Sequence, residues 1–140
     1  AQSIREQLKD IGITVNLEVI EWATWLSDVY TNRKYVASLA GLAGKMEPDA
    51  ILRRYTSTYA KNFTNFNNAK YDALIEEAKR TSNEAKQVEN YKEAQKILSE
   101  EQAAIFLMDP NTVIATEKGI EGFEFYPLPY LNFAKLYFKK

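Results

Sequence analysis

Apolar positions follow two rhythms along this chain. Ile4, Leu8 and Ile11 recur at helical spacing with charges between them, and Gly12 follows where a helix end wants a positive φ. Ile13, Val15, Leu17 and Val19 then alternate with Thr14, Asn16 and Glu18, the period of a strand with one buried face. Trp22, Trp25, Leu26 and Val29 return to helical spacing. Tyr35 to Leu42 is nearly continuous in small and apolar residues, as in a strand covered on both faces, and Gly41 and Gly44 open a loop after it. Pro48 suits a first helical turn with Ile51, Leu52 and Tyr55 on its inner face. After a polar loop over 61–68, Asn67 or Asn68 caps a helix striped by Tyr71, Leu74, Ile75 and Ala78. Thr81 with Glu84 spells a capping box. The helix it opens carries Val88, Tyr91, Ala94 and Leu98 and runs to about Gln102. Ala104 to Met108 and Thr112 to Thr116 read as short strands around an Asp109-Pro110-Asn111 turn. From Gly119 the text is aromatic, proline-punctuated and irregular. Alternating helices and strands predict an α/β fold with a mixed, mostly parallel sheet flanked by helices. A helix running through one glycine into a strand is the second half of a βαβ unit, and the unit's first strand is not in this chain.

Composition narrows the chemistry. The 140 residues contain no Cys and no His, so the chain itself can form no disulfide, no Cys/His metal site and no imidazole relay. Eighteen basic against 19 acidic residues give a net charge of −1, which offers nothing to a nucleic-acid backbone. No run approaches the roughly 20 apolar residues a membrane helix needs. No signal peptide is visible at Ala1.

An enzyme would have to work with carboxylates alone. Glu18 and Glu21 flank a strand end, and Glu47 and Asp49 flank Pro48. A paired-carboxylate glycosidase is conceivable. Acids at a helix start are more simply explained by the helix dipole, so no catalytic residue is assigned. Gly41 to Gly44 lacks the Gly-Lys-Ser/Thr ending of a phosphate loop, and its small residues read instead as room for a ligand at a strand end. Trp25, Tyr71 and Tyr91 read as core, and Trp22 as core or cleft. Asn62-Phe63-Thr64 matches a glycosylation acceptor, a pattern common by chance. The aromatics from Phe123 to Phe138 could also form a partner surface.

Several stretches, in order, resemble one family. Ile4 to Trp22 (Ile-Arg-Glu-Gln-Leu-Lys-Asp-Ile-Gly-Ile-Thr-Val-Asn-Leu-Glu-Val-Ile-Glu-Trp) resembles the IxxxLxxIGIxVxxxxxEW stretch of family 5 of the bacterial extracytoplasmic solute-binding proteins. Glu47 to Leu52, Asn62 to Ile75, Tyr91 to Leu98, Ile105 to Leu107 and Lys118 to Phe123 resemble further motifs of that family. Its members are the peptide, dipeptide and nickel receptors of ABC importers.

The resemblance implies part of the second lobe of a type II periplasmic-binding-protein fold. Residues 1–110 would belong to that ligand-binding lobe, and residues 111–140 would return to the first lobe. Lacking that lobe, residues 117–140 should be extended, poorly packed or docked on another molecule. The implied function is capture of a peptide-like solute in an interlobe cleft and delivery to a membrane permease, outside the cytoplasm or lipid-anchored to the membrane. The full-length protein would be a monomer; no cofactor is assigned, and the absence of His and Cys argues against metal ligation by this piece. Carried over by position, the cleft residues are Trp22, Tyr30, Ser38, Ala40, Gly41, Leu42 and Gly44. Gly44 stands where peptide receptors have an Asp for the peptide's amino group. Ser38 and Val29 stand where an oligopeptide receptor has Arg. Burying an unpaired peptide terminus costs several kcal/mol, so an uncharged ligand such as an oligosaccharide stacked on Trp22 is the alternative.

Overall fold

The computed structural model describes residues 1–126 and 131–139. The Pro127–Tyr130 part of the expected closing segment lies outside the described residues. Among the described residues there are five α-helical segments: α1 (Gln2–Asp10), α2 (Trp22–Thr24), α3 (Pro48–Leu52), α4 (Ala69–Arg80) and α5 (Glu84–Glu100). α2 continues directly into a π-helical segment, Trp25–Thr31, and α3 into a 3₁₀ turn, Arg53–Tyr55.

The core is the antiparallel pairing of α4 with α5, closed at one end by α3. Tyr71, Ile75 and Ala78 of α4 meet Tyr91, Ala94, Ile97 and Leu98 of α5, with Leu52 from α3, so most of the two helical stripes read from the sequence is core; Leu74 is only partly buried, and Val88, at the start of the α5 stripe, is exposed. Tyr71 is fully buried, and its hydroxyl donates to the Leu52 carbonyl at 2.6 Å, tying α4 to the junction between α3 and the 3₁₀ turn. Burial pushes that phenol well above the ordinary range, with the nearby Tyr55, Asp72 and Asp49 adding to the shift. Asn68 caps α4 through its side-chain oxygen, which accepts from the Tyr71 amide at 2.8 Å.

The expected capping box is not formed. Asn83 rather than Thr81 caps α5, accepting from the Lys86 amide at 3.1 Å, while the Thr81 hydroxyl accepts from the Asn83 amide at 3.2 Å. Thr81 is spent ending α4, whose C-cap it is, so the next helix starts two residues later than the box would place it and ends at Glu100. The Gly12 reading holds: its φ is +84°, and its amide donates to the Lys9 carbonyl at 2.9 Å.

The apolar segments at 13–19, 35–42, 104–108 and 112–116 form no ladder among the described residues. Val19, Val36, Ile105, Met108 and Val113 are largely exposed. A strand of a parallel sheet is held and covered by its neighbours, and these segments have none here. The one described sheet pairs β1 (Ile120–Glu121) antiparallel with β2 (Tyr137–Phe138). The closing segment is therefore not wholly extended. It folds on itself, with ion pairs from Lys135 to Glu124 at 2.7 Å and from Lys139 to Glu121 at 3.0 Å. Gly122 is obligatory there: its φ is +85°, and a Cβ would lie 1.9 Å from the Lys135 carbonyl oxygen. Phe125, Phe133 and Phe138 stay exposed.

Candidate functional site

The helix that starts at Trp22 was expected to be an ordinary amphipathic helix through Val29. From Trp25 it widens instead into π geometry, sealed by the Asn32 amide donating to the Ser27 carbonyl at 2.9 Å and the Thr31 hydroxyl to the Leu26 carbonyl at 2.8 Å. The change has a steric consequence. In an α-helix a side chain five positions on points about 140° away, whereas a π turn closes over five residues and brings it back above the first. Tyr30 thereby lies on Trp25, with ring centres 5.7 Å apart and planes 28° from parallel. Leu26, on the expected α-helical stripe, is left partly exposed.

Trp25 is the hub of an aromatic cluster. Trp22 stacks on it at 4.9 Å with planes 5° apart, an offset stack of the kind aromatic pairs prefer. Phe63, from the loop before α4, meets it edge-on at 5.7 Å and touches Tyr30 at 5.3 Å. Trp25 has one polar atom, and its Nε1–H donates to Ser38 Oγ at 2.9 Å. Tyr35 completes the group by donating its hydroxyl to the Phe63 carbonyl at 2.6 Å. Burial pushes the Tyr35 phenol above its ordinary range, opposed by the nearby Arg33 charge.

Phe63 is held from below by Asn62. This residue is 3% exposed, and its side-chain nitrogen donates to the carbonyls of Thr56 at 3.1 Å and Phe66 at 2.8 Å, while its oxygen accepts from the Thr64 hydroxyl at 2.8 Å. The chance match to a glycosylation acceptor is thus a buried loop anchor, whose nitrogen is already committed.

Three of the seven carried-over positions, Trp22, Tyr30 and Ser38, meet around Trp25. Trp22 remains 59% exposed and offers a ring face to solvent. Ala40, Gly41, Leu42 and Gly44 are exposed on the following loop, with open space around Gly41 and Gly44. Trp25 and Phe63 were not among the expected site residues. Trp25 is indeed buried, but it is also the piece that joins the others. The aromatic of the Asn62-Phe63-Thr64 triplet was the available signal for Phe63. Of the acids weighed for catalysis, Glu47 is the residue before α3, and Asp49 sits in its first turn, 3.7 Å from Arg53.

No protein-family model matches the chain. It is similar to the oligopeptide-binding protein AppA of Bacillus subtilis, 28% identical over 127 residues, which are 89% of this chain and 23% of that protein. It is 30% identical over 93 residues to the periplasmic murein peptide-binding protein MppA of Escherichia coli, 66% of this chain and 17% of that protein. The chain thus spans under a quarter of either relative. Its structure is similar to that of MppA in the unliganded open form, with a TM-score of 0.60 and 26% identity over 73% of this chain and 20% of the other. That likeness gives the chain the α/β fold of part of a lobe of a type II periplasmic binding protein, with fewer ladders than the expected sheet. These relatives are named as binding proteins. In sequence and in fold, the chain is similar to peptide-binding members of family 5 of the bacterial extracytoplasmic solute-binding proteins, the family its motifs resemble.

Proposed function

We propose that this chain is the ligand-gripping part of the receptor of an ABC importer, taking a peptide-like solute and passing it to a membrane permease. The observation that carries this is the match along 89% of the chain to a protein named for oligopeptide binding. Residues 1–110 serve as part of the second lobe, and residues 111–140 as the segment that returns to the first. The exposed face of Trp22 and the open loop from Ala40 to Gly44 are the ligand-facing surfaces. The receptor works outside the cytoplasm, in a periplasm or lipid-anchored at the cell surface, as a monomer. Its role is capture, with no bond made or broken.

An uncharged ligand such as an oligosaccharide is the second reading, favoured by Gly44, Ser38 and Val29 in place of charged groups. The relatives weigh against it, since AppA, MppA and the Haemophilus influenzae protein SapA are all named for peptides. Isothermal titration of the receptor that contains this chain against peptide and oligosaccharide libraries, with mass spectrometry of copurified ligand, decides between the two. Binding of peptides with micromolar or tighter affinity supports the proposal. Silence to every peptide, with heat from an oligosaccharide, overturns it.

A further inference from the structure

We infer that Ser38 is a positioning residue rather than a ligand contact, and that the ring stack it anchors selects solutes carrying a ring side chain, aromatic or proline. This rests on the receptor reading above. The Ser38 hydroxyl oxygen accepts from Trp25 Nε1 at 2.9 Å and so fixes the one polar direction of the indole plane. Trp22 lies parallel to that plane at 4.9 Å, so the orientation of its exposed face is inherited from Trp25. Tyr30 and Phe63 hold Trp25 from other directions, at 5.7 Å each, but rings can slide over one another. The hydrogen bond is the contact that fixes rotation within the plane.

The ligand class follows from the same group. The side chains in contact here are Trp22, Trp25, Tyr30, Tyr35, Phe63 and Ser38, and none carries a charge. The half-exposed indole face of Trp22 gains most by stacking another flat or apolar ring. Indole faces also attract cations. Cationic peptides are therefore one arm of the test.

The test uses Ser38→Ala and Ser38→Thr. The chain has two Trp, so in the 140-residue chain the paired-indole couplet in the far-ultraviolet circular dichroism reports the Trp22–Trp25 stack alone. Ser38→Ala is expected to reduce that couplet by about half or more, and Ser38→Thr, which keeps the hydroxyl, to restore it. In the receptor, Ser38→Ala is expected to weaken peptides bearing Phe, Tyr, Trp or Pro by roughly threefold to tenfold, the range of one neutral hydrogen bond. Peptides of the same length with Ala or Gly should change by less than about twofold, and the Thr variant should recover the difference. An unchanged couplet in Ser38→Ala overturns the positioning role. Equal weakening of all peptides, or selective weakening of Lys and Arg peptides, overturns the ring selectivity. A wild-type receptor that binds no peptide refutes the receptor reading and the ring selectivity with it, while the couplet still decides how Ser38 acts.

Discussion

Replacing Tyr71 with Phe removes one oxygen from the middle of the core. The ring itself is fully buried against α5 and stays in place, so little void is created. What is lost is the 2.6 Å bond to the Leu52 carbonyl. A neutral hydrogen bond is worth about 1 kcal/mol net, and stranding its buried acceptor costs about 1–3 kcal/mol. The expected destabilisation is therefore about 1–3 kcal/mol, or a drop in Tm of roughly 3–10 °C for a chain of this size. Urea unfolding followed by circular dichroism should show a lower midpoint with an unchanged slope. The pH dependence adds a second signature. Burial raises the Tyr71 phenol above its ordinary value of 10.0. Below that value both states keep the proton and the full stability is present. As pH rises above it, the unfolded chain releases the proton first, so stability falls, by up to about 1.4 kcal/mol per pH unit for such a group. Tyr35, Tyr55 and Tyr91 are also raised, chiefly by burial. The Phe variant should therefore show a shallower alkaline decline, not a flat one. A midpoint equal to that of wild type, or parallel stability curves above pH 10, would refute the argument.

Three further outcomes are expected. Asn62→Ala strands buried loop carbonyls and should cost about 1–3 kcal/mol, read by urea unfolding, with Trp25 emission shifting as Phe63 loosens; an unmoved emission maximum would separate the loop from the rings. Gly122→Ala cannot be relieved by a side-chain movement, because the obstacle is backbone; hydrogen exchange should lose protection at the Lys139 amide, which donates to the Gly119 carbonyl at 2.8 Å, while helical circular dichroism stays constant. The hydrogen bond from Lys135, joined by one from Tyr126, holds the Glu124 carboxyl below its ordinary value, and the bond to Glu124 raises Lys135. The pairing is thus fully present above the ordinary carboxylate value of 4.5, lost as pH falls through the lowered one, and lost again as pH rises through the raised lysine value; a carboxyl titration by NMR with Glu124 at its ordinary value would contradict this.

The parts of this chain that bury their own stripes were legible from the sequence. The stripes of α4 and α5 satisfy each other locally, so the period in the text becomes the packing in the structure everywhere but at Val88, which lies beyond the contact and is exposed. Gly12 was legible for a similar reason, since a positive φ at a helix end is a property of a few residues. The ladders were not, because an apolar strand announces that it wants neighbours without saying that this chain supplies them. Val36 and Met108 are apolar in the text and bare in the structure for that reason. The π turn was also hidden. Trp22, Trp25, Leu26 and Val29 fit an α-helical period well, and the signal for π geometry, a Tyr five positions after a Trp, means nothing until the stack is seen. Ser38 shows what a carried-over position leaves out: its hydroxyl oxygen accepts from Trp25 of the same chain.

The same geometry changes what the missing charges mean. Taken from the sequence, Val29 and Ser38 looked like two deletions, positions where an oligopeptide receptor has Arg and this chain has nothing to offer a carboxylate. In the structure neither position is vacant. Val29 is 5% exposed on the π turn, so an arginine there would have to bury its guanidinium or break the turn, at a cost of several kcal/mol. Ser38 is committed to Trp25. Gly44, by contrast, has open space around its Cα. The neutral character around Trp25 therefore belongs to the aromatic stack and cannot be reversed by restoring one charge. Ser38→Arg would remove the acceptor for the indole before it could supply a partner for a peptide carboxylate. Gly44→Asp touches none of these contacts. If a peptide's amino group passes this loop, that substitution should tighten binding without disturbing the Trp pair.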